Sequence, residues 1–403
     1  MNKKLCLSIV ISLICMPKSF ASDAIVDAIN EAKVSGEIKS LYFSQDFSDS
    51  SGKQTSSIWT NGGEFKLVSG DFHGFSLSSS LQVVDVTWRD DVDDAYKTSM
   101  SADGAVLSEA YLSYDFSNAN TRVHLGRRYL AMPLLGGSSA QSVTESYEAY
   151  LITDRSLPQT VIVAGKIDRY QARTDFKSTT PFTQAKADAK GKPGEFLDIG
   201  EYGMYSLYMS NTSIANTNVQ VHLVETQGIA FMGYADMFYQ FDTRFKPYIG
   251  GQYYKTVYHD NTLGQDSDML GLKLGVELID NLDLFTGYNK TNDNGKVLHG
   301  LGNNAYANFT TTTKTSGDTG FEAGSNSLQL GVAYQIYSVK VKYRWTNFNP
   351  LDEEGGMTEH TLNLSYQFES LKQVSAMMDY SVMTFDNDAR SMTDLRTKLI
   401  YRF

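Results

Sequence analysis

Apolar and polar residues alternate along most of the chain beyond residue 32. From Leu270 to Leu278 a leucine or valine occupies every second position, with glycine, lysine or glutamate between them. The segments 327–336 and 361–368 repeat this pattern. Successive side chains of a β-strand point to opposite faces of its sheet, so a repeat of two predicts strands with one apolar face. The chain is therefore predicted to be all-β.

Three features favour strands that cross a membrane over the strands of a soluble sandwich. The alternating segments run to about 10–13 residues, whereas globular strands usually have about 5–6 and a tilted bilayer crossing needs about 9–11. Their apolar faces often end in Tyr, Phe or Trp, as at the two interfaces of a barrel. The connections alternate strictly between short and long, as expected of periplasmic turns and outer loops. These features predict a transmembrane antiparallel β-barrel.

We predict 18 strands, with 16 as the alternative count. An even count places both chain ends on the periplasmic side. A sheet in hydrocarbon must close on itself, because each unpaired backbone amide would cost several kcal/mol there. The predicted strands are 33–45, 57–69, 73–87, 105–116, 121–129, 145–154, 159–171, 197–210, 217–226, 230–241, 244–258, 267–279, 282–292, 325–337, 338–348, 358–369, 371–386 and 391–403.

A barrel of this size encloses an aqueous channel too wide for side chains alone to fill. We expect the connection 130–144 to fold inward as a constriction loop. Its Pro133, Gly136 and Gly137 allow a compact bend. The other long connections are 88–104, 172–196 and 293–324.

The first 21 residues have the pattern of a secretory signal peptide. Lys3 and Lys4 precede an apolar stretch, and Ala21 supplies a small residue for cleavage. We therefore predict export, a short periplasmic segment at 22–32 and a barrel from 33 to 403.

Composition excludes several classes of protein. Both cysteines, Cys6 and Cys15, lie in the predicted leader, which excludes a disulfide scaffold and a thiol enzyme. The formal net charge of −11 argues against a nucleic-acid partner. No apolar run beyond the leader approaches the ~18 residues of a transmembrane helix. The aromatic content of 12% excludes long disorder.

With the apolar faces turned to lipid, the opposite parity places basic residues inside the barrel. Such residues would draw carboxylate or phosphate solutes through the pore. The alternative is that they pair with acids such as Glu109 and Asp115, and both interpretations stay open. The predicted pore-lining basic track consists of Arg122, His124, Arg128, Lys166, Lys340, Lys342, Arg344, Arg396, Lys398 and Arg402.

Leu399, Tyr401 and Phe403 share the outward face of the last strand. This pattern looks like the aromatic signal that outer-membrane barrels present to their assembly machinery. It predicts a Gram-negative outer-membrane protein in contact with membrane lipid and lipopolysaccharide. The acidic run 90–94 would suit a divalent cation but is more typical of a solvated loop. The scattered histidines indicate no metal site, and no cofactor or catalytic nucleophile is predicted.

One region resembles a known family. The stretch HLGRRYLAMPLL (124–135), followed by RSLPQT (155–160) and Gly165-Lys166, resembles the third-loop region of OprD-family porins over about 50 residues. The resemblance implies an 18-stranded channel for small, mostly carboxylate-bearing solutes, and it places Arg128 and Pro133 at the start of the constriction loop. The Asp-Ser-Arg segment of the OprD type is absent from this loop, which reads GGSSAQS instead.

The chain also resembles related 18-stranded major porins over 27–43. Those proteins are trimeric and more general, so this resemblance implies a homotrimer as an option.

The sequence therefore predicts a porin, a passive channel for small hydrophilic solutes with some preference for anionic ones. The first alternative is a general, weakly selective trimeric porin. An outer-membrane enzyme would need Ser and His at one level of the lipid face, and the pattern offers no such pair. An adhesive barrel normally carries a further domain, whereas the barrel accounts for nearly all residues after the leader.

Overall fold

The computed structural model describes residues 23–90, 100–172, 182, 195–302, 307–313, 318–349 and 355–403. Its main element is an antiparallel sheet of 18 barrel strands, in which the first strand pairs with the last. The predicted closed barrel and the strand count of 18 are thereby confirmed. The predicted leader 1–21 and the acidic residues 91–94 lie outside the described ranges.

The barrel strands follow one another in chain order, and each pairs with its sequence neighbours. A short strand, Phe196–Asp198, extends the sheet between β7 and β8 by pairing with the end of β7. The barrel strands are β1 Lys33–Phe47, β2 Ser56–Val68, β3 Phe75–Arg89, β4 Gly104–Asp115, β5 Thr121–Arg128, β6 Ser146–Asp154, β7 Thr160–Gln171, β8 Met204–Asn211, β9 Thr217–Thr226, β10 Ala230–Gln240, β11 Tyr248–Tyr258, β12 Ser267–Ile279, β13 Leu282–Thr291, β14 Asn326–Ile336, β15 Val339–Asn349, β16 Met357–Gln367, β17 Val374–Phe385 and β18 Met392–Arg402.

Helices are few. Helix α1, Asp23–Asn30, lies against the turn between β2 and β3, where the Gly70 N–H donates to the carbonyl oxygen of Ala28 at 2.7 Å. Helix α2, Asp318–Phe321, is a single turn in the connection between β13 and β14. Among the described residues, no helix has both the length and the hydropathy that a membrane crossing requires.

The outside of the barrel is apolar, the reverse of a soluble protein. Leu270 and Leu272 on β12 are 61% and 45% exposed, whereas Ser267 and Met269 at its start are fully buried. The parity assigned from the sequence thus holds on β12. An apolar exterior is the face that hydrocarbon stabilises.

One connection departs from the predicted alternation of short and long. The outer connection 227–229, between β9 and β10, is shorter than the opposite connection 241–247. Gly228 adopts a φ of 74°, a left-handed conformation that allows such a tight hairpin. The prediction of strict alternation is therefore wrong here.

Candidate channel and its inward loops

The described residues of two outer connections fold into the barrel. Loop A, residues 129–145, joins β5 to β6, and loop B, residues 292–325, joins β13 to β14. Leu134 and Leu135 of loop A and Val297 and Leu301 of loop B have no exposed surface. These side chains pack on the inward residues of the barrel wall, so the loops occupy the lumen.

The loops and one side of the wall form a single hydrophobic cluster. Apolar burial stabilises this packing by about 25 cal/mol for each Å² removed from water. The part of the lumen beside β6 to β12 is therefore filled. The cluster includes Leu130, Met132, Leu134 and Leu135 of loop A, Val297, Leu298, Leu301 and Phe321 of loop B, and Tyr147, Ile167, Met204, Val224, Met232, Tyr254 and Met269 of β6 to β12.

Backbone hydrogen bonds join the two loops. The Leu301 N–H donates to the carbonyl oxygen of Leu134 at 2.9 Å, and the Gly136 N–H donates to that of Leu301 at 3.3 Å. The Tyr147 hydroxyl also donates to the Leu301 carbonyl, at 2.7 Å. These contacts satisfy backbone groups that burial would otherwise leave unpaired.

Loop A begins with a small hairpin. Ala131–Met132 pairs with Leu135–Gly136, so Pro133 and Leu134 form its turn. The Gly137 N–H donates to the carbonyl oxygen of Leu130 at 3.0 Å, which closes the bend. Pro133, Gly136 and Gly137 therefore lie together at the place where the sequence expects the compact bend.

A histidine of β9 holds the turn of loop A. The Leu134 N–H donates to Nδ1 of the buried His222 at 2.9 Å. Because Nδ1 accepts this bond, the ring proton resides on Nε2, which contacts the Ser206 hydroxyl at 2.9 Å. This histidine is neutral and fixed between the loop and β8.

The other end of loop A is bound to β3. Gln82 makes two bonds to Thr144: its Oε1 accepts from the Thr144 N–H at 2.8 Å and its Nε2 donates to the Thr144 carbonyl at 3.0 Å. Loop A is thus anchored at both ends, on β9 and on β3.

Loop B continues along the wall from β11 to β16. Thr310 contacts the Ser327 hydroxyl on β14 at 2.7 Å, and Thr312 donates to Glu359 on β16 at 2.7 Å. Gln329 donates to the Thr311 carbonyl at 3.2 Å. The described residues 307–313 therefore cover the inner faces of these strands.

Arg344 binds loop B. Its Nη1 donates to the Thr311 carbonyl at 2.7 Å, and its Nη2 donates to Thr313 Oγ1 at 2.8 Å and to Asn363 Oδ1 at 2.9 Å. The side chain points into the barrel, but its guanidinium is engaged by the loop. The sequence offered no signal for this contact, because the partners are more than 30 residues apart in the chain.

The basic residues of β5 mostly have partners within the wall. Arg122 forms a two-pronged ion pair with Asp115, and His124 Nδ1 contacts the Ser113 hydroxyl at 2.9 Å. Arg128 lies over the ring of Tyr111, 5.3 Å from its centroid. Within the described part of the chain, Nε and Nη1 of Arg128 have no hydrogen-bond partner. Asp115 therefore acts as the counter-ion that the alternative interpretation expected.

The basic residues of β18 also lie close to acids. Arg396 Nε donates to Asp394 at 2.6 Å, and Arg402 Nε lies 3.3 Å from Glu37 on β1. Lys398 on the same strand is buried. Glu37 also pairs with Lys39, at 2.6 Å.

Lys340 and Lys342 border a cavity of about 730 Å³ at the periplasmic ends of β11 to β17. Lys342 and Lys273 each lie 5.2 Å from the ring centroid of Phe285. That ring covers Gly331 on β14, where any Cβ would collide with it. The cavity is also lined by the acids Glu277, Asp283 and Asp379.

The sequence interpretation missed Lys273 and the three cavity acids. Lys273 alternates with Leu272 and Leu274, which are outward and exposed. The same parity that placed Lys342 inside would have placed Lys273 there. The acids Asp283 and Asp379 occupy the equivalent inward positions on β13 and β17.

Lys166 faces outward, so its assignment to the lumen is wrong. It lies opposite Tyr150 on β6 and Tyr205 on β8, both exposed on the outside, and it pairs with Asp168 at 2.7 Å. The error has a physical cause. The inward face of β7 packs on the hydrophobic cluster through Ile167, so both faces of this strand are apolar and parity has no contrast to follow.

Leu399, Tyr401 and Phe403 are all exposed on the outside of the barrel. The rings of Tyr401 and Phe403 stack with centroids 6.2 Å apart. Gly36 on β1 donates to the Phe403 carbonyl at 3.0 Å and accepts from the Phe403 N–H at 3.1 Å. Residue 403 thus takes part in the seam that closes the barrel.

Comparison with known proteins gives a consistent result for the fold. No protein-family model and no curated protein matches the chain. OccAB4 of Acinetobacter baumannii matches with a TM-score of 0.75 at 14% identity, over 93% of this chain and 98% of that one. The outer-membrane protein OpdK of Pseudomonas aeruginosa matches with a TM-score of 0.72 at 14% identity, over 93% and 99%. The chain has the fold of OprD-family porins.

OccK9 (OpdG) of Pseudomonas aeruginosa adds a third match, with a TM-score of 0.75 at 15% identity over 93% of this chain and 99% of that one. The architecture that the third-loop resemblance implied is therefore confirmed.

Proposed function

We propose that the protein is an outer-membrane porin of the OprD type, a passive channel for small hydrophilic solutes. The observation that supports this is a closed barrel of 18 strands in which two loops fill part of the lumen and a cavity of about 730 Å³ is lined by charged residues. A lumen of this width must be narrowed to discriminate between solutes. Loops A and B are the elements that narrow it.

The selectivity of the channel depends on fewer residues than the sequence suggested. Arg122 and Arg402 are paired with carboxylates, and Arg344 binds loop B. Lys340 and Lys342 border the cavity together with Asp283 and Asp379, while the third acid, Glu277, is paired with Lys246 at 2.9 Å. Positive charge beside a low-dielectric wall attracts anions, and neighbouring carboxylates reduce that attraction. We therefore expect a modest preference for anionic solutes such as carboxylates.

The test is ion selectivity in planar bilayers under a salt gradient. Replacing both lysines, Lys340→Gln with Lys342→Gln, should move the reversal potential toward cation selectivity. The rate at which neutral solutes permeate should stay unchanged. The control is Lys166→Gln, which removes one positive charge from the outer face and should leave the reversal potential unchanged. An unchanged reversal potential in the double variant would reject anion preference and favour a general, weakly selective porin.

The contacts and exposed face of β18 favour insertion into the outer membrane by the barrel-assembly machinery. Leu399, Tyr401 and Phe403 present one apolar face to lipid, and Phe403 bonds to Gly36 across the seam. We propose that this face is what the barrel-assembly machinery binds, and that lipid and lipopolysaccharide surround the finished barrel.

The geometry of the two Ser–His contacts argues against an enzyme. Ser113–His124 and Ser206–His222 both face the interior rather than the lipid. In the second pair, Nδ1 of His222 is occupied by the Leu134 N–H, so Nε2 carries the proton and cannot take one from the serine. A histidine in this state is not a general base for Ser206.

A further inference from the structure

The backbone of Leu134 links three parts of the channel. Its N–H donates to Nδ1 of His222 on β9 at 2.9 Å, and its carbonyl oxygen accepts from the Leu301 N–H of loop B at 2.9 Å. All three side chains are fully buried. The bond to the barrel wall and the bond between the loops therefore share one residue, and displacement of Leu134 affects both.

The bond between Leu134 and His222 requires a neutral imidazole. In the neutral ring Nδ1 has a free lone pair that accepts the Leu134 N–H, while Nε2 contacts the Ser206 hydroxyl at 2.9 Å. A protonated ring carries a hydrogen on both nitrogens. Nδ1–H would then point at the Leu134 N–H, and two donors 2.9 Å apart repel each other. The docked turn of loop A therefore excludes the second proton.

The strands on both sides of His222 supply no acceptor for that proton. Tyr208 on β8 and Tyr234 on β10 are its paired residues, and the Tyr208 ring lies edge to face with the imidazole at 5.6 Å. Asp236 on β10 accepts the Tyr234 hydroxyl at 2.5 Å and the Gln220 amide at 3.4 Å. In the described part of the chain, neither tyrosine nor Asp236 forms a hydrogen bond with the imidazole.

The loops that cover His222 offer no anion either. Residues 130–137 of loop A carry no ionisable side chain. Loop B contributes His299, which precedes Gly300, and a Cβ on Gly300 would collide with the Leu134 carbonyl. The His299 ring contacts the Gly300 carbonyl at 2.8 Å and lies 6.3 Å from the Phe321 ring. Protonation of His222 therefore breaks the bond to Leu134 without creating an ion pair in its place.

We propose that His222 is a pH-sensitive switch of the channel. When its ring takes up a proton, the turn of loop A leaves β9, the junction of Leu134 with Leu301 opens, and the channel enters a wider state. This inference rests on the channel function proposed above and adds its regulation. The bistable element is the turn 131–136, which the two bonds of Leu134 hold in place.

The pH range follows from linkage. Once the turn has left, the imidazole faces the water of the lumen, where a histidine has a pKa of about 6.5. Because the docked turn excludes the proton, the docking equilibrium constant falls about tenfold for each pH unit below about 6.5. The fall amounts to about a hundredfold at pH 4.5. Above pH 6.5 the contribution of His222 to docking is fully present and does not change.

Single-channel recording of the full-length protein at pH 7.5 and pH 4.5 tests the switch. For the wild type we expect the ratio of wide to narrow openings to rise by up to about a hundredfold in acid. His222→Asn keeps an acceptor that does not titrate, so this ratio should be the same at both pH values. Asp236→Asn and His259→Asn remove other titratable groups and should keep the wild-type response.

A disulfide tests whether the junction itself moves. Leu135 of loop A and Leu301 of loop B form a β-bridge and are both buried. The chain has no cysteine beyond Cys15, so Leu135→Cys with Leu301→Cys can form one disulfide between the loops. The oxidised variant should lose the acid response, and a reductant should restore it.

Four outcomes would overturn the switch. They are a wild-type channel with the same openings at both pH values, a His222→Asn variant that still responds, an oxidised disulfide variant that still responds, and loss of the response in His299→Asn. The first outcome leaves the channel function standing, whereas absence of any current at pH 7.5 would reject the channel function itself. If the variants fail to insert, the wild-type titration remains decisive, because it should show the slope of a single proton below pH 6.5.

Discussion

Replacing Arg344 by methionine should widen the channel. Methionine fills a similar space but cannot donate hydrogen bonds, so the contacts of Arg344 to Thr311, Thr313 and Asn363 are lost. Loop B then loses its attachment to β15, although Thr310 still binds β14 and Thr312 still binds β16. We expect loop B to leave the wall and the open cross-section to grow.

The size of the effect follows from the two bonds that Arg344 donates to loop B, at Thr311 and Thr313. A hydrogen bond from a charged donor contributes about 1.5–3 kcal/mol, and bonds that share one side chain do not add fully. Taking about 4 kcal/mol for the group, the equilibrium between docked and free loop shifts by about a thousandfold, since about 1.4 kcal/mol corresponds to a factor of ten. A shift of this size makes the free state visible in single-channel records.

Single-channel conductance separates this role from a role in selectivity. Arg344→Met should raise the conductance and produce larger open events, whereas Lys342→Met, the matched control on the same face, should alter the reversal potential without enlarging the bore. If Arg344 served only to attract anions, its replacement by methionine would lower the anion current instead of raising the conductance. If Arg344→Met leaves the conductance at the wild-type level or reduces it, Arg344 does not hold loop B.

Two further variants test the seam and loop A. Deleting Phe403 removes the bonds to Gly36 and part of the outward apolar face, so the fraction of heat-modifiable barrel in the outer membrane should fall; normal levels at modest expression would contradict this. His222→Phe leaves the buried Leu134 N–H without an acceptor at a cost of about 1–3 kcal/mol, so loop A should become sensitive to protease, while His222→Asn should retain an acceptor and resist. Equal protease resistance in both variants would show that this bond does not fix the loop.

Alternation predicted the fold wherever the two faces of a strand differ. On β12 the leucines face out and Lys273 faces in, so the contrast is complete and the parity is right. On β7 the contrast disappears, because Ile167 faces a packed interior while Ile162 and Ala164 lie on the outer face. Lys166 was misplaced for this reason. The assignment of inward and outward faces from alternation requires a water-filled lumen. It gives wrong facings where apolar side chains fill the lumen.

The arrangement of the candidate channel was less accessible to sequence reasoning. Pro133 and the glycines after it indicated the bend of loop A. The partners of that bend, His222 and Leu301, are far along the chain and belong to unrelated patterns. The same holds for Arg344, whose inward direction was predicted but whose binding of loop B was not. Contacts between segments far apart in the chain do not change the alternation of apolar and polar residues, so the sequence pattern cannot reveal them.

The junction of Leu134 and Gly136 with Leu301 also has a consequence for the order of folding. The two sides of this contact are separated by eight of the 18 strands, and contacts of long sequence separation form late because their chain entropy must be lost first. Loop A can bend as soon as β5 and β6 exist, but its partner arrives only after β13. We therefore expect the narrow lumen to form late in folding, after the strands that carry both loops have paired.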